Sequence, residues 1–389
     1  MTEKLFYQDS SIKEFTATVE SCIQGKDGLY EVILDRTAFF PEGGGQYADT
    51  GVLLYKEKEI KVVDVQENNE IVTHYVTEEI ENGSKVIGKL NYEERFSKMQ
   101  QHTGEHIVSG IVNRRFGYQN VGFHLGSEDV TMDFNGILSE TQLKEIEREA
   151  NQAVAENVEI QVLYPTKEEL ETITYRSKIE IEGQVRIVEI PGWDTCACCA
   201  PHVKYTGQIG LIKLTGAIKY KGGMRVSMVC GFRALADYNQ KEASVVAISR
   251  KLSAKPDAIV DAVERLEKEV ASQKEKIRVL QEQYLKGLLK EVKPEDTCVL
   301  LFEETLDTVA ARNFVNDVMK MTEGICGAFI GNEEEGYRYI LGSAKEEITK
   351  IAKEMNQTLN GRGGGKPPMV QGSVKAKRSE IEVFLKKLF

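Results

Sequence analysis

The chain is 389 residues long, a length that favours two or three domains over a single core. Hydrophobic residues make up 41% and charged residues 29%, the balance of a folding chain and not of a disordered one. A net charge of -11, from 50 Lys and Arg against 61 Asp and Glu, excludes a protein that coats nucleic acid or membranes by bulk positive charge.

The N-terminal stretch MTEKLFYQDSSIKEF has neither an apolar core nor a cleavage site, so no signal peptide is expected. No apolar run approaches the roughly 20 residues that a membrane helix needs, so no membrane partner is expected. Of seven cysteines, three crowd into Cys196-Ala197-Cys198-Cys199 and four are scattered, which is not a disulfide framework. The expectation is a cytoplasmic protein with reduced thiols.

From Phe15 to about Leu90, short alternating runs (Phe15–Ile23, Tyr30–Leu34, Ile60–Val65, Ile71–Val76) predict a small curved antiparallel sheet or barrel. Within it, Ala38 to Gly51 carries Gly43-Gly44-Gly45-Gln46. Three residues without side chains let backbone N–H groups approach a ligand, and Gln46 adds an amide that donates and accepts. A tight barrel turn is the plainer alternative. Tyr92–Phe116 turns helical and Gly117 ends it. Ser139-Glu140-Thr141-Gln142 fits a capping box that opens a helix running to about Asn157. Strands are predicted at Glu159–Leu163, Gln184–Ile190, Gly207–Leu214 and Gly223–Val229.

Phe232–Leu252 predicts a helix, and Pro256 opens another that lasts to Pro294. In the latter Ile259, Val263, Leu266, Val270, Ile277, Leu280 and Tyr284 fall on four-three steps, interrupted by Gln273 and Gly287, as in an imperfect coiled-coil seam. An α/β pattern follows: strand Cys298–Phe302, helix Thr308–Met321, strands Gly324–Gly331 and Tyr337–Gly342, helix Lys345–Leu359, a glycine-rich stretch, and a short final helix.

His102-Thr103-Gly104-Glu105-His106 places two imidazoles at i and i+4 of a helix, where both reach one metal ion. Two core or cap histidines are the alternative. A metalloprotease needs Glu directly after the first histidine, and Thr103 stands there, so that chemistry is disfavoured. Further on, Cys196-Ala197-Cys198-Cys199-Ala200-Pro201-His202 offers thiolates and an imidazole, the preferred zinc donors. A redox pair of Cys196 and Cys199, or inert thiols, remain open on the residues alone.

Taken in order, PEGGGQYADTG at Pro41–Gly51, HTGEH at His102–His106 and CCAPHVKYTGQIG at Cys198–Gly210 resemble the alanyl-tRNA editing proteins called AlaX, relatives of the editing domain of alanyl-tRNA synthetase. The helical arm with GRGGGKPPMVQG at Gly361–Gly372 is similar to the DHH-associated domain that ends the long form of that family. The resemblance covers nearly the whole chain. It implies an α+β protein: an N-terminal small β-barrel with the glycine-rich loop (1–90), an α/β editing domain with a zinc site (91–232), a partly coiled-coil-like helical arm (233–292) and a C-terminal α/β DHH-associated domain (293–389).

The resemblance also implies one zinc ion per chain on His102, His106, Cys198 and His202. The family often has Cys-Gly-Gly-Thr-His where this chain has Cys-Cys-Ala-Pro-His, which leaves Cys199 and Cys196 as competitors of Cys198. Gln46 is implied as a catalytic-pocket residue, with Gly43, Gly44 and Gly45 supporting an oxyanion and Thr37 sensing a substrate hydroxyl. The implied activity is zinc-dependent hydrolysis of the ester at the 3′-adenosine of mischarged tRNA(Ala), carrying serine or glycine. Such a second site restores accuracy where a hydrophobic pocket rejects an isostere poorly.

Three other functions are weighed. A non-catalytic tRNA-binding protein would hold a structural zinc. Editing of another mischarged tRNA would keep the chemistry, but the GGGQ loop and the tail fit it poorly. A phosphoesterase needs an Asp-His-His metal cluster, and no His-His pair occurs; Lys366 precedes Pro367, so no phosphate loop with its ATP site is expected either. Charge is uneven: residues 361–389 hold seven basic and two acidic residues, residues 293–360 seven basic and thirteen acidic. Gly361, Arg362, Gly363, Gly364, Gly365, Lys366, Lys375, Lys377 and Arg378 are therefore the candidate contacts to tRNA phosphates, with the acceptor end and body of tRNA(Ala) as partner. A homodimer through the C-terminal region is compatible with the seam.

Overall fold

The computed structural model describes residues 1–25, 27–126, 130–177 and 184–387. They form two compact units, Met1–Val245 and Val246–Phe389, of mixed α+β structure.

In the first unit, β1 (Glu14–Gln24), β2 (Tyr30–Leu34), β3 (Gly51–Tyr55), β4 (Lys58–Asn68), β5 (Ile71–Val76) and β6 (Lys85–Leu90) close into a barrel in the order β1-β2-β5-β4-β3-β6. The alternation seen in the sequence thus resolves to closure, which leaves no strand edge exposed. Val19, Val32, Leu34, Leu53, Val65, Val72 and Val76 fill its interior. His74, fully buried, joins them between the equally buried Thr37 Oγ1 (2.8 Å) and the Val32 carbonyl (3.1 Å).

The barrel leads into α1 (Tyr92–Phe116), capped by the Asn91 side chain at its start and by left-handed Gly117 at its end. Most of α1 from Arg95 to Val112 is buried, yet many of those residues are polar or charged. Each such group inside a protein must find a partner. Arg95 forks onto Asp49 and donates to the Ala38 carbonyl at 2.7 Å, Lys98 donates to the Ala48 carbonyl at 2.6 Å, and Gln101 bonds both the N–H and the carbonyl of Cys230.

Around α1 lie β7 (Asn120–Leu125), β8 (Val130–Phe134), α2 (Glu140–Glu156), β9 (Gln161–Leu163), β10 (Ile187–Ile190), β11 (Asp194–Ala197), β12 (Ile212–Tyr220) and β13 (Gly223–Cys230). One sheet runs β12-β13-β8-β7 and another β9-β10-β11. The Ser139 capping box forms as expected, with left-handed Asn157 at the far end of α2. Two expected strands are shorter, and the expected Gly207–Leu214 strand is replaced. A 3-10 turn at Thr206–Ile209 occupies its start, Gly210 takes a positive φ of 81°, and β12 begins only at Ile212. α3 (Gly231–Leu252) follows.

The second unit contains α4 (Ile259–Leu289), preceded by a 3-10 turn at Pro256–Ala258, so the helix starts later and ends earlier than the prolines suggest. Only Ala262 and Leu285 of α4 are buried; the seam residues between Val263 and Leu280 are exposed. β14 (Cys298–Glu303), α5 (Thr308–Met321), β15 (Ile325–Asn332), β16 (Gly336–Gly342), α6 (Ile348–Thr358), β17 (Gly361–Lys366), β18 (Met369–Val374) and α7 (Arg378–Lys386) complete it, with sheet order β14-β15-β16-β18-β17. The glycine-rich stretch, to which the sequence assigned neither helix nor strand, is the edge strand β17, paired in antiparallel register with β18. Backbone proximity explains Gly363, where a Cβ would come within 2.5 Å of Gly372 Cα, but not Gly364, which faces open space.

Candidate metal centre

Four side chains separated by up to a hundred residues converge beside α1. One donor atom each of His102, His106, Cys198 and His202 lies within 4.8 Å of all the others. His102 and His106 come from consecutive turns of α1, and Cys198 and His202 from the loop after β11, which the Pro201 ring stiffens. The Cys198 thiol sits 3.5 Å from Nε2 of both His102 and His202. Tetrahedral zinc with bonds of roughly 2.0–2.3 Å sets its donors about 3.3–3.7 Å apart, so these edges already fit the ion.

Each imidazole is oriented through its other nitrogen. Nδ1 of His102 faces Gln46 Oε1 at 3.2 Å, Nδ1 of His106 faces Asp194 Oδ2 at 3.1 Å, and Nδ1 of His202 faces Thr103 Oγ1 at 3.1 Å. A ring held at Nδ1 presents Nε2 as its donor, the arrangement by which proteins orient metal-binding histidines. Asp194 is itself fixed by Arg176, at 2.7 Å from Nε and 2.8 Å from Nη2. Burial pushes the Asp194 carboxyl up, but hydrogen bonds from His106 and Arg176 and the guanidinium charge outweigh it and hold the group below the usual range.

Burial, reinforced by His106 and His102, holds His202 well below the ordinary histidine value, so the ring is neutral and keeps a lone pair to give. Burial pushes the Cys198 thiol up to about 12. A thiol so placed ionises only beside a cation, and a divalent metal supplies that charge. Geometry and protonation thus both fit an ion bound here. Cys199 does not join the cluster: it is exposed, and a Cβ on Gly44 would come within 3.0 Å of its sulfur. Cys196 is buried and groups with His106 and Asp194 instead.

Gln46 is buried, and while its Oε1 holds His102, its Nε2 has no hydrogen-bond partner. An orphaned buried donor beside the cluster is costly unless a ligand takes it. Gly43 and Gln46 bond each other's backbone N–H and carbonyl at 3.0 Å, closing a tight turn whose exposed tip is Gly44 and Gly45. The N–H of Gly43 is thereby spent. Both tip residues have positive φ, 60° and 80°, and a Cβ on Gly45 would strike the Phe123 ring at 2.8 Å. That ring lies 4.9 Å from His102. Thr37 is not brought to the cluster by any contact: its hydroxyl is bonded to His74 and accepts from the Phe39 N–H at 3.1 Å.

Asp194, Arg176, Thr103 and Phe123 escaped sequence reasoning. The one available signal was Asp194, the last acidic residue before the cysteine run. Glu105, beside the second histidine, accepts from Ser109 and Asn120. In the second unit, Arg362, Gly363, Gly364, Gly365, Lys366, Lys375, Lys377 and Arg378 are exposed and Gly361 is half-buried. Arg378 is engaged with Glu382 at 2.8 Å and over the Phe302 ring, so it is less available than the lysines.

Three domain families match the chain in order: tRNA synthetases class II (A) at residues 2–94, the threonyl and alanyl tRNA synthetase second additional domain at 185–227, and the DHHA1 domain at 295–389. Among relatives, the alanine–tRNA ligase of Ignicoccus hospitalis is 29% identical over 94% of this chain and 40% of its own length. That of Pyrococcus abyssi is 27% identical over 96% and 42%. The chain therefore spans about two-fifths of the length of these ligases. The alanyl-tRNA editing protein AlaX-L of Pyrococcus horikoshii is 29% identical over 100% of this chain and 98% of its own length. With all three domains in order and full-length similarity to that protein, the chain has the make-up of the long AlaX proteins.

Proposed function

We propose that this protein is an alanyl-tRNA editing hydrolase that cleaves the 3′-adenosine ester of Ser-tRNA(Ala), with Gly-tRNA(Ala) as a second substrate. The observation that carries the reading is the four-donor cluster with the unbonded Gln46 amide beside it, in a chain similar end to end to AlaX-L. His102, His106, Cys198 and His202 would hold one zinc ion per chain, whose Lewis acidity would polarise an ester carbonyl or a water.

The chain's own residues do the rest. Gln46, its carbonyl locked on His102, presents its amide N–H to the substrate, and Gly44 and Gly45 let the acceptor end approach the tip of the turn. Thr37 is assigned to sensing the seryl hydroxyl; Thr37→Val should then change the ratio of serine to glycine hydrolysis. The four-part division at residues 90, 232 and 292 assigns the chemistry to the first two parts. The last part, with its basic residues from Gly361 onward, binds the body of the tRNA and joins two copies, an arrangement with which the exposed α4 seam is compatible.

Four protein donors also describe a closed structural metal site, which favours a second reading, a tRNA-binding protein without activity. Incubation with Ser-, Gly- and Ala-tRNA(Ala), and with another mischarged tRNA, separates these readings. Release of serine, abolished in His106→Ala, is the expected result. Intact ester alongside tight tRNA binding would select the second reading instead.

A further inference from the structure

No Asp or Glu occurs from Thr195 to Ala236, although the chain as a whole is acidic; Lys204, Lys213, Lys219, Lys221, Arg225 and Arg233 do occur there. Three of these lie on the hairpin of β12 and β13 and one at its turn. β12 is the edge strand of its sheet, and from Thr215 to Lys219 its residues are exposed whichever way they point, so this end of the strand is covered on neither face. Ile218 is 62% exposed. Two cations are neutralised by neighbouring elements: Lys213 by Glu147 at 2.7 Å and Arg225 by Asp133 at 2.6 Å. Lys219 and Lys221 have no ion pair among the described residues and are exposed. Tyr220 stands between two cations, Arg225 Cζ at 3.9 Å and Lys221 Nζ at 5.1 Å from its ring centre.

The opposite edge of the same sheet is β7, whose Phe123 touches the metal cluster and the Gly45 turn. Three strand spacings separate β7 from β12, about 14 Å. A rigid sheet therefore carries the reactive pocket at one edge and an uncompensated positive hairpin at the other.

We propose that the β12–β13 hairpin is a second RNA-contacting surface, at which Lys219 and Lys221 grip phosphates of the base-paired acceptor stem while the 3′ end occupies the cluster. The occupant is a polyanion because Lys219 and Lys221 have no ion pair among the described residues and the hairpin itself carries no acidic residue. It is a duplex because the unpaired 3′ end is already committed to the cluster at the opposite edge of the sheet, and duplex RNA is read through its backbone. The assignment rests on the tRNA reading of the cluster, but it places the contact in the first unit, whereas the C-terminal basic stretch belongs to the second.

The experiment compares the full chain with K219E/K221E and with K219R/K221R. Binding of tRNA(Ala), of an acceptor-stem minihelix and of a single-stranded CCA oligonucleotide is followed by fluorescence anisotropy across a salt series. Loss of two duplex phosphate contacts should weaken tRNA and minihelix binding by tenfold or more and reduce the salt slope by about 1.8. Oligonucleotide binding, and the single-turnover rate at saturating tRNA, should be unchanged, and the arginine variant should bind normally. Equal minihelix affinity and slope in K219E/K221E would overturn the proposal, as would an equal loss for the oligonucleotide. A wild-type chain that binds tRNA without hydrolysing it would fail the editing reading and leave this test intact.

Discussion

Asp194→Asn isolates the orientation of one metal donor. In the folded chain both Asp194 oxygens are used: Oδ1 by Arg176 Nε, Oδ2 by Arg176 Nη2 and by His106 Nδ1. Asparagine has the same shape but one acceptor and no charge. Either Arg176 Nε loses its acceptor or His106 and Arg176 Nη2 lose theirs, and in both cases His106 loses the carboxylate behind it. Loss of a carboxylate behind a metal-binding histidine lowers metal affinity about 10–100-fold, or roughly 1.4–2.7 kcal/mol. Side-chain exposures of 12% for Arg176 and 2% for Asp194 put the pair beyond the screening that makes surface bridges weak. Breaking such a buried pair costs about 3–5 kcal/mol of folding stability.

Competition with a chromophoric zinc chelator measures the affinity, at a temperature where circular dichroism shows wild type and variant both folded. Thermal melts of the metal-free proteins measure the second quantity. Zinc affinity within twofold of wild type would refute the claim that Asp194 orients His106. Because the folded carboxyl lies below its unfolded value, its contribution is present above about pH 4 and lost below it. The variant's deficit in metal-free stability should therefore shrink on acidification through that range.

Three further substitutions test the barrel and the turn. Burial lowers His74 to about 4, so below its ordinary value near 6.5 the unfolded chain takes up a proton that the folded chain refuses; this group costs about 2 kcal/mol of stability between pH 7 and pH 5, and urea unfolding of His74→Gln should show a loss smaller by that amount. Gly45→Ala, with its positive φ and its clash with Phe123, should lose about 1–2 kcal/mol and disturb His102, whereas Gly43→Ala meets nothing closer than 3.8 Å and should be near neutral; melts and zinc titrations of the two variants check the contrast.

The candidate donors were legible in part because their spacing is local, while Cys198 was set apart from Cys196 and Cys199 only by the family resemblance. His102 and His106 needed only the helical repeat, and the barrel strands only alternation. The partners of those donors were not legible, since Gln46, Asp194 and Thr103 reach the three imidazoles from a barrel turn, a strand and α1 itself, over separations of up to 99 residues. No periodicity encodes such a contact. The glycine-rich tail was not legible as a strand for a related reason: glycine marks a loop when read along the chain, yet at Gly363 it marks close approach to β18, a property of pairing.

The acidic balance also takes a different meaning once charge is located in the fold. At physiological ionic strength the Debye length is about 8 Å, so a phosphate on the β12–β13 hairpin or on the C-terminal basic stretch is screened from most of the molecule's carboxylates. Local lysines then decide binding, and the net charge of -11 is a small correction. Near 0.01 M salt the length grows to about 30 Å, and the whole negative molecule repels the polyanion. The logarithm of tRNA affinity should therefore fall linearly with the logarithm of salt above about 0.1 M, with a slope near -0.9 per phosphate neutralised, and flatten below about 0.02 M. A titration by fluorescence anisotropy from 0.005 to 0.3 M tests this, over a range set by those roughly known screening lengths. A straight line to the lowest salt would mean that distant carboxylates exert no force on the ligand, and that the uneven charge distribution has no bearing on how this acidic chain holds RNA.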